Sequence, residues 1–163
     1  MADNVLFWID NDLLPFVVSN FLQKKLSGDF FAIIDTVDRT KIFFQKQKIV
    51  NFKQIWFYHD FVSGKTVPDI EYLKMFEQKY GIDLWLLALN ERLFYGFNEF
   101  YKFSHDEILS ILEQECKLFE KIIQESHPKY LIIKTVDLHQ NFLFSEICRK
   151  RSEEHTSELQ SQS

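Results

Sequence analysis

Polar side chains follow four short apolar runs of this sequence, each at the point where the run ends. Asp, Asn, Thr and His are residue types that hold ligands through hydrogen bonds. The residues selected by this position are Asp10, Asn11, Asp35, Thr36, His59, Asp60, Thr135, Asp137 and His139. Asp, Asn and Thr are also common helix N-caps, and Asp137 with Gln140 three residues later has the form of a capping box. A structural role therefore competes with ligand binding at these positions.

A second candidate pair, Glu91 and Arg92, lies in NERLFYGFNEFYKFS (90 to 104), where aromatic residues stand among charged ones. The charged groups could form a paired site, with the aromatic rings stacking on the faces of sugars. Such a stripe is also typical of a core whose polar edge meets water, and the sequence favours that interpretation.

Two further motifs are incomplete. SGKT (63 to 66) resembles the end of a phosphate-binding P-loop, but the full motif requires glycine where this chain has His59. Asp137 and His139 could supply two ligands to a metal, but the spacing indicates no third. We therefore predict no nucleotide-binding loop, no metal site and no cofactor in this chain.

The elements that must position these residues alternate between strand and helix. Continuous apolar runs, typical of strands covered on both faces, span 5 to 10, 30 to 35, 55 to 58 and 130 to 133. Helical spacing marks 14 to 25, 69 to 80, the segment from the SHDE capping box at Ser104, and 138 to 150. The stretch from 82 to 103 is ambiguous, because its LWLLAL run fits either a strand or a buried helix, and we favour a helix. This alternation predicts an α/β fold with a doubly wound, mostly parallel, Rossmann-like sheet. Its ligands would bind outside the carboxyl ends of the strands.

Composition limits the class of protein. A chain of 163 residues can form one domain with its own core. Its net charge of −5, without a Lys/Arg cluster in the sequence, argues against a general nucleic-acid binder. Cys116 and Cys148 have no disulfide or metal spacing and indicate reduced thiols. No apolar run is long enough to span a bilayer. We predict a cytoplasmic protein, and a longer parent could lie at the inner face of the membrane.

The final segment, RSEEHTSELQSQS (151 to 163), contains almost nothing to bury. Codons that encode its first eleven residues spell a string that resembles a common short-read sequencing adapter. We predict that residues 1–150 form a truncated Rossmann-like N-terminal domain, and that 151–163 is a disordered tail translated from adapter DNA. A natural disordered C-terminus is the alternative.

Three blocks of the chain resemble the amino-terminal part of a family of capsule or surface polysaccharide biosynthesis proteins. They are DIEYLKMFEQKYGIDLW, NERLFYGFNEFYKFSHDEILSILEQECKLFEKII and PKYLIIKTVDLHQNFLFSEICRKR, and they span much of 69 to 151. Proteins of that kind resemble GT-B-like glycosyltransferases, in which two Rossmann-like halves face each other across a cleft. The resemblance implies that Thr135, Asp137 and His139 face this cleft.

The resemblance also implies partners that this chain lacks. A missing C-terminal domain would hold a nucleotide-sugar donor, and this acceptor-side part would bind the glycan acceptor but be inactive alone. Two alternatives stay open. One is a non-catalytic Rossmann-like binding or interaction module of polysaccharide assembly. The other is a sugar-nucleotide epimerase, because PKYLIIKTVD followed by a helix resembles a strand–helix step in such enzymes. Fold analogy does not choose among these functions.

Overall fold

The structure is a computed structural model that describes residues 3–161, with side chains described as far as Ser152. Its strands are β1 (Val5–Ile9), β2 (Phe30–Ile34), β3 (Gln54–Phe57) and β4 (Tyr130–Ile132). Its helices are α1 (Leu14–Gln23), α2 (Asp38–Lys46), α3 (Ile70–Tyr80), α4 (Leu84–Leu89), α5 (Arg92–Tyr95), α6 (His105–Ser126) and α7 (His139–Ser161). A short 3-10 turn, Tyr58–Asp60, follows β3.

The chain forms two compact units. Unit 1 contains Met1–Val62 and Glu120–Thr135, and unit 2 contains Ser63–Phe119 and Val136–Ser163. The sheet belongs to unit 1, whereas unit 2 is helical in its described residues.

The sheet of unit 1 has the strand order β3-β2-β1-β4, and every pair in it is parallel. No residue of β1 or β2 is more than 3% exposed, so both faces of these central strands are covered. Covered faces explain why the strands read as continuous apolar runs and not as alternating patterns. The predicted α/β class with a parallel, doubly wound, Rossmann-like sheet is confirmed.

Helices α1 and α2 lie side by side on one face of the sheet. Both join neighbouring parallel strands in the same direction along the sheet, so right-handed crossovers place them on the same side. The Phe16 ring of α1 lies 5.2 Å from that of Phe44 in α2, and both residues are buried in the core on this face. Helix α2 was not predicted, because it is mostly polar, lacks a side-chain N-cap and begins with Asp38 at φ +56°.

The helices of unit 2 begin at clear capping residues. Asp69 accepts a hydrogen bond from the Tyr72 N–H at 3.0 Å, and Asp83 accepts one from the Leu86 N–H at 2.7 Å. The predicted capping box before α6 is present: the Ser104 N–H donates to Glu107 at 2.7 Å, and the Glu107 N–H donates to the Ser104 hydroxyl at 3.2 Å. The ambiguous stretch from 82 to 103 contains the two short helices α4 and α5.

The predicted tail begins inside α7. This helix continues to Ser161, whereas the sequence analysis predicts disorder from residue 151, and residues 162 and 163 lie outside the described residues. Glu, Gln, Arg and Leu are good helix formers, so a helix that starts in the preceding segment can propagate into this one. The disorder and the adapter origin of 151–163 stay predictions. Among the described residues, no helix is long and apolar enough to cross a membrane.

Candidate functional site

Seven of the predicted site residues lie in unit 1, at the carboxyl ends of its strands: Asp10, Asn11, Asp35, Thr36, His59, Asp60 and Thr135. Asp10 and Asn11 follow β1, His59 lies in the turn after β3, and Thr135 follows β4. The chain moves outward from β1 to β3 and then returns to the opposite side of β1 at β4. The carboxyl ends of β1 and β4 therefore form the topological switch point, where doubly wound sheets bind their ligands.

Hydrogen bonds order the loop after β1. The Asp10 carboxylate accepts from the Asp12 N–H at 2.7 Å, and the Asp12 carboxylate accepts from the Leu14 N–H at 2.9 Å at the start of α1. The N-cap residue of α1 is Leu13, which forms no side-chain cap hydrogen bond, so Asp12 supports the start of the helix from the loop before it. Asp12 also forms an ion pair with Lys134, which follows β4. The hydrogen bond from Lys134 lowers the pKa of Asp12 below its ordinary value. The pair thus joins the two sides of the switch point.

The ends of β2 and β3 carry a second group of polar contacts. His59 Nε2 lies 3.0 Å from Asp35 Oδ1, with the His59 side chain 45% exposed and that of Asp35 10% exposed. Lys41 pairs with Asp60 at 2.5 Å. The Thr36 hydroxyl is buried and has no hydrogen-bond partner among the described residues. At this edge of the sheet, the buried Thr36 hydroxyl can still form a hydrogen bond with a ligand, whereas the charged side chains beside it are paired.

Carboxylates outnumber cations along this edge. Two ammonium groups, from Lys41 and Lys134, stand among four carboxylates, from Asp10, Asp12, Asp35 and Asp60. Carboxylates accept hydrogen bonds from hydroxyl groups but repel phosphate oxygens. The edge is therefore better suited to a neutral polyhydroxylated ligand than to a diphosphate.

The other four predicted site residues lie in unit 2. Arg92 and Asp137 form an ion pair at 3.2 Å in which both side chains are more than half exposed. Glu91 and Arg92 do not form the predicted pair, because the Glu91 side chain is turned into the interior and only 3% exposed. Helix α7 begins two residues after Asp137, and the His139 N–H donates to the Glu91 carboxylate at 2.7 Å. The first N–H of α7 therefore uses Glu91 as its acceptor.

A buried histidine lies between two carboxylates in unit 2. His139 Nδ1 is 2.9 Å from Glu91 Oε2, and His139 Nε2 is 2.9 Å from Glu115 Oε1. The exposed fractions of these side chains are 5% for His139, 3% for Glu91 and 0% for Glu115. The Phe94 ring covers the imidazole, with 4.8 Å between the ring centroids. We call Glu91, Glu115 and His139 the buried histidine cluster.

The buried histidine cluster keeps its central ring charged. Burial disfavours the imidazolium, but the charge and hydrogen bond of Glu115, aided by Glu91, outweigh it and raise the pKa of His139 to about 10. Burial likewise disfavours the Glu91 carboxylate, but hydrogen bonds from His139 and the Leu93 N–H lower the pKa of Glu91 to about 2. Both ring nitrogens then donate to carboxylates. His139 therefore has no lone pair with which to accept a proton or bind a metal.

Sequence reasoning missed Glu115, although a signal for it was present. The buried stripe of α6 runs through Ile108, Leu112, Glu115, Phe119 and Ile122, at steps of four, three, four and three residues. A charged residue on an apolar stripe must be paired, because an isolated buried charge is strongly unfavourable. The stripe therefore predicts a buried ionic partner for Glu115, but it does not say which.

A cleft of about 180 Å³ adjoins the buried histidine cluster. Its lining brings Asp137, Glu91 and His139 together with the apolar side chains of Leu87 and Phe142. A second cleft, of about 350 Å³, shares Leu87 and Phe142 with the first and is mostly apolar. Three predicted site residues, Glu91, Asp137 and His139, thus line the same cleft. Glu91 and His139 are also hydrogen-bonded to each other in the buried histidine cluster.

The fold and the strand-end residues define the class: a Rossmann-like α/β protein with a switch point between β1 and β4. No family model, curated protein or solved structure matches the chain. Within residues 3–161, no group of three His, Cys, Asp or Glu side chains is arranged to hold a metal ion.

Proposed function

We propose that this chain is the N-terminal, acceptor-side part of a glycosyltransferase-like protein of capsule or surface polysaccharide biosynthesis, inactive by itself. The observation that carries the proposal is the strand order β3-β2-β1-β4. The doubly wound sheet of dinucleotide-binding domains has the order 3-2-1-4-5-6, and the order in this chain matches its first four strands. The resemblance of residues 69 to 151 to that family supports the same proposal.

The edge strand β4 supports the idea of a truncated domain. β4 has only three residues, pairs with β1 on one side, and leaves Tyr130 47% exposed. Exposed edges of parallel sheets are normally covered or extended by further strands. Additional strands in a longer parent would cover this edge.

The loop after β1 supports the acceptor-side role. Dinucleotide-binding proteins hold a pyrophosphate here with a glycine-rich turn and a helix N-terminus. In this chain the same loop carries Asp10 and Asp12 and contains no glycine. These carboxylates disfavour a nucleotide diphosphate and are suited to sugar hydroxyl groups. Under this proposal, the donor site lies in a C-terminal domain of the longer parent.

The binding test uses the full 163-residue chain in an NMR titration. We expect uncharged oligosaccharides from a bacterial glycan panel to shift amides near Asp10, Thr36 and His59, and UDP-glucose or GDP-mannose to leave them unchanged. Asp10→Asn should weaken oligosaccharide binding several-fold, whereas Asp106→Asn, an exposed carboxylate of unit 2, serves as the matched control. Sugar transfer by this chain alone, or preferential binding of the nucleotide sugars, would contradict the proposal.

The truncation is tested separately by a long-read sequence of the source DNA across the codon for Arg151. A reading frame that continues into further strands and a second Rossmann-like domain is the expected result. A genuine stop codon after RSEEHTSELQSQS would argue against truncation and leave the small binding module as the better function.

A non-catalytic binding module is the second candidate, because Glu91 and His139 hold each other in place and are not free to act on a substrate. Substitution of Asp10, Asp137 and His59 in the longer parent separates the two candidates. Loss of glycan production by a folded variant favours the transferase, and unchanged production favours the module.

A further inference from the structure

The outward face of α1 is apolar. Leu14, Val17 and Phe21 follow one another at steps of three and four residues and are 52%, 60% and 58% exposed. The helix contains no charged residue from Leu14 to Gln23. A surface helix normally turns charged or polar residues toward water, whereas a helix that is apolar all round is normally covered. The face of α1 therefore has the character of a contact surface.

The exposed apolar surface continues onto α2. The Phe43 ring lies 5.7 Å from that of Phe16 in α1, and Phe43 is still 40% exposed. Ile42, beside it in the chain, is 49% exposed. The neighbouring helices thus present a shared apolar area. We define the α1–α2 surface as Leu14, Val17, Phe21, Ile42 and Phe43 with the basic residues around them.

Basic residues surround this area. Residues 13–53 contain seven basic and three acidic residues, a net charge of +4, whereas the whole chain carries −5. Lys41 and Lys53 pair with carboxylates. Five cations have no ion-pair partner among residues 3–161: Lys24, Lys25, Arg39, Lys46 and Lys48. These residues are scattered along the sequence and show no cluster there.

The fold gathers four of these cations at one end of the two helices. Gln23, at the end of α1, exchanges hydrogen bonds of 2.8 and 2.9 Å with the backbone of Asn51, just after α2. This contact holds Lys24 and Lys25 on the same side of unit 1 as Lys46 and Lys48. The Lys25 ammonium lies 4.5 Å from the centre of the Phe21 ring, so positive charge directly borders the apolar stripe.

We infer that the α1–α2 surface docks onto an anionic lipid bilayer. Exposed apolar side chains can enter the boundary between headgroups and acyl chains, while lysines and arginines bind the anionic headgroups. The inference rests on exposure and charge alone and does not depend on the proposed function.

Charge complementarity separates the bilayer from other occupants. A symmetric contact with a second copy would bring two basic surfaces together, and like charges across an interface are unfavourable. A nucleic acid would satisfy the cations but leave Val17 and Phe21 exposed to water or against phosphates. An anionic bilayer satisfies both parts of the surface.

The experiment is flotation of the full chain with vesicles, which separates bound protein from aggregates. One set of vesicles contains phosphatidylcholine alone, and the other contains three parts phosphatidylcholine to one part phosphatidylglycerol. We expect flotation with the anionic vesicles at 0.15 M salt, little with the neutral ones, and a strong reduction at 1 M salt because salt screens surface charges.

Two double variants test the two parts of the surface. Lys24→Gln with Lys25→Gln should lower partitioning on the order of 20-fold, from about fivefold per lysine. Val17→Ser with Phe21→Ser removes the apolar side chains that enter the bilayer and should abolish flotation. The matched controls are Lys65→Gln with Lys102→Gln, and Val67→Ser with Met75→Ser, whose apolar side chains are 93% and 61% exposed. The controls should float like the unsubstituted chain.

Three outcomes would overturn the inference. One is the absence of flotation with anionic vesicles by the folded chain. Another is an equal loss of flotation in the surface variants and their controls. The third is a dimer in light scattering that Val17→Ser with Phe21→Ser dissociates while vesicle binding is absent, which would make the surface an interface between copies.

Discussion

At the scale of the residue, His139 acts as a buried cation. Its two ring nitrogens each lie 2.9 Å from a carboxylate, and Phe94 covers the ring. The Glu91 carboxylate additionally accepts the His139 and Leu93 N–H groups at 2.7 and 2.9 Å. A side chain with so many fixed partners holds α5, α6 and α7 in one arrangement. Its role follows from these contacts and is structural.

Removal of the buried cation should be costly. His139→Ala removes the cation that lies between the buried Glu91 and Glu115 carboxylates, and we expect a loss of about 3 to 5 kcal/mol in the free energy of unfolding. Urea denaturation followed by circular dichroism measures it. His105→Ala, an exposed histidine of the same unit whose ring lies 5.2 Å from that of Trp85, should cost about 1 kcal/mol or less.

Glu115→Gln provides a milder test if His139→Ala does not fold. It removes one of the two carboxylates while keeping an oxygen that accepts the Nε2–H hydrogen bond, so the loss should be smaller. Equal stability of His139→Ala and the unsubstituted chain would show that the buried histidine cluster does not stabilise the fold.

The same cluster predicts how stability depends on pH. The pKa of His139 is raised from 6.5 to about 10, so its contribution is full below pH 6.5 and is lost as the pH rises through about 10. The pKa of Glu91 is lowered from 4.5 to about 2, so its contribution is full above pH 4.5 and is lost as the pH falls through about 2. Both are full between pH 4.5 and 6.5.

We therefore expect the difference in unfolding free energy between the unsubstituted chain and His139→Ala to be largest between pH 4.5 and 6.5. The difference should shrink toward pH 10, where His139 loses its proton, and toward pH 2, where the Glu91 carboxylate is protonated. Urea titrations across this range measure it. A difference that stays constant from pH 5 to pH 10 would contradict the assignment of His139 as the titrating group.

At the scale of the element, α6 shows how one helix carries both packing and charge. Its capping box sets the starting point, and its buried stripe is apolar except at Glu115, which is itself fully buried. The same helix uses Glu113 to accept the Asp69 N–H at 2.8 Å, next to the start of α3. Acidic residues of α6 thus anchor the starts of neighbouring segments of unit 2.

Gly28 and Gly81 are required for different physical reasons, the first because of limited space and the second because of its backbone conformation. A Cβ at Gly28 would lie 2.0 Å from the Asp3 carbonyl oxygen, whereas Gly81 has φ +63° and nothing within 4 Å of a Cβ. Gly81→Ala should therefore cost about 1 to 2 kcal/mol for the left-handed backbone alone. Gly28→Ala must move backbone and should cost about 3 kcal/mol.

Thermal or urea unfolding of the two variants under identical conditions compares these costs directly. Gly81→Ala at the C-cap of α3 is the matched control, because it adds the same methyl group without a steric contact. A Gly28→Ala variant as stable as Gly81→Ala would mean that the N-terminal segment before β1 moves away at little cost.

At the scale of the whole molecule, charge and exposed apolar area are unevenly distributed. Residues 13–53 carry +4 in a chain of −5, and they include the exposed apolar face of α1 and α2. The carboxyl edge of the same sheet instead carries an excess of carboxylates. Unit 1 thus has one surface suited to anions and another suited to hydroxyl groups.

Local patterns in the sequence predicted most of the elements. The four strands lie within one residue of the predicted bounds, because fully covered strands appear as unbroken apolar runs. The starts of α3 and α6 were also readable, because a cap and the N–H groups it accepts are three residues apart. The polar α2, without a cap, left no such signal.

The candidate site was predictable only in part. Position after a strand correctly selected residues such as Asp10 and His59 at the carboxyl edge of the sheet. The capping-box form of Asp137 competes with ligand binding in the sequence, and neither interpretation predicts its ion pair with Arg92, which is 45 residues away in the chain. Such a partner has no local signature, because a side chain on an exposed loop can pair with any segment that folding brings near it.

The sequence by itself determined the α/β class, the strands, the capped helices and the side chains at the strand ends, because periodicity and capping act over a few residues. Only the tertiary structure decided that His139 lies between Glu91 and Glu115, 48 and 24 residues away, and that scattered lysines gather beside an apolar face. Both arrangements depend on which distant segments pack together. A buried charge is stable only when an opposite charge lies beside it, and the fold determines which residue supplies that charge.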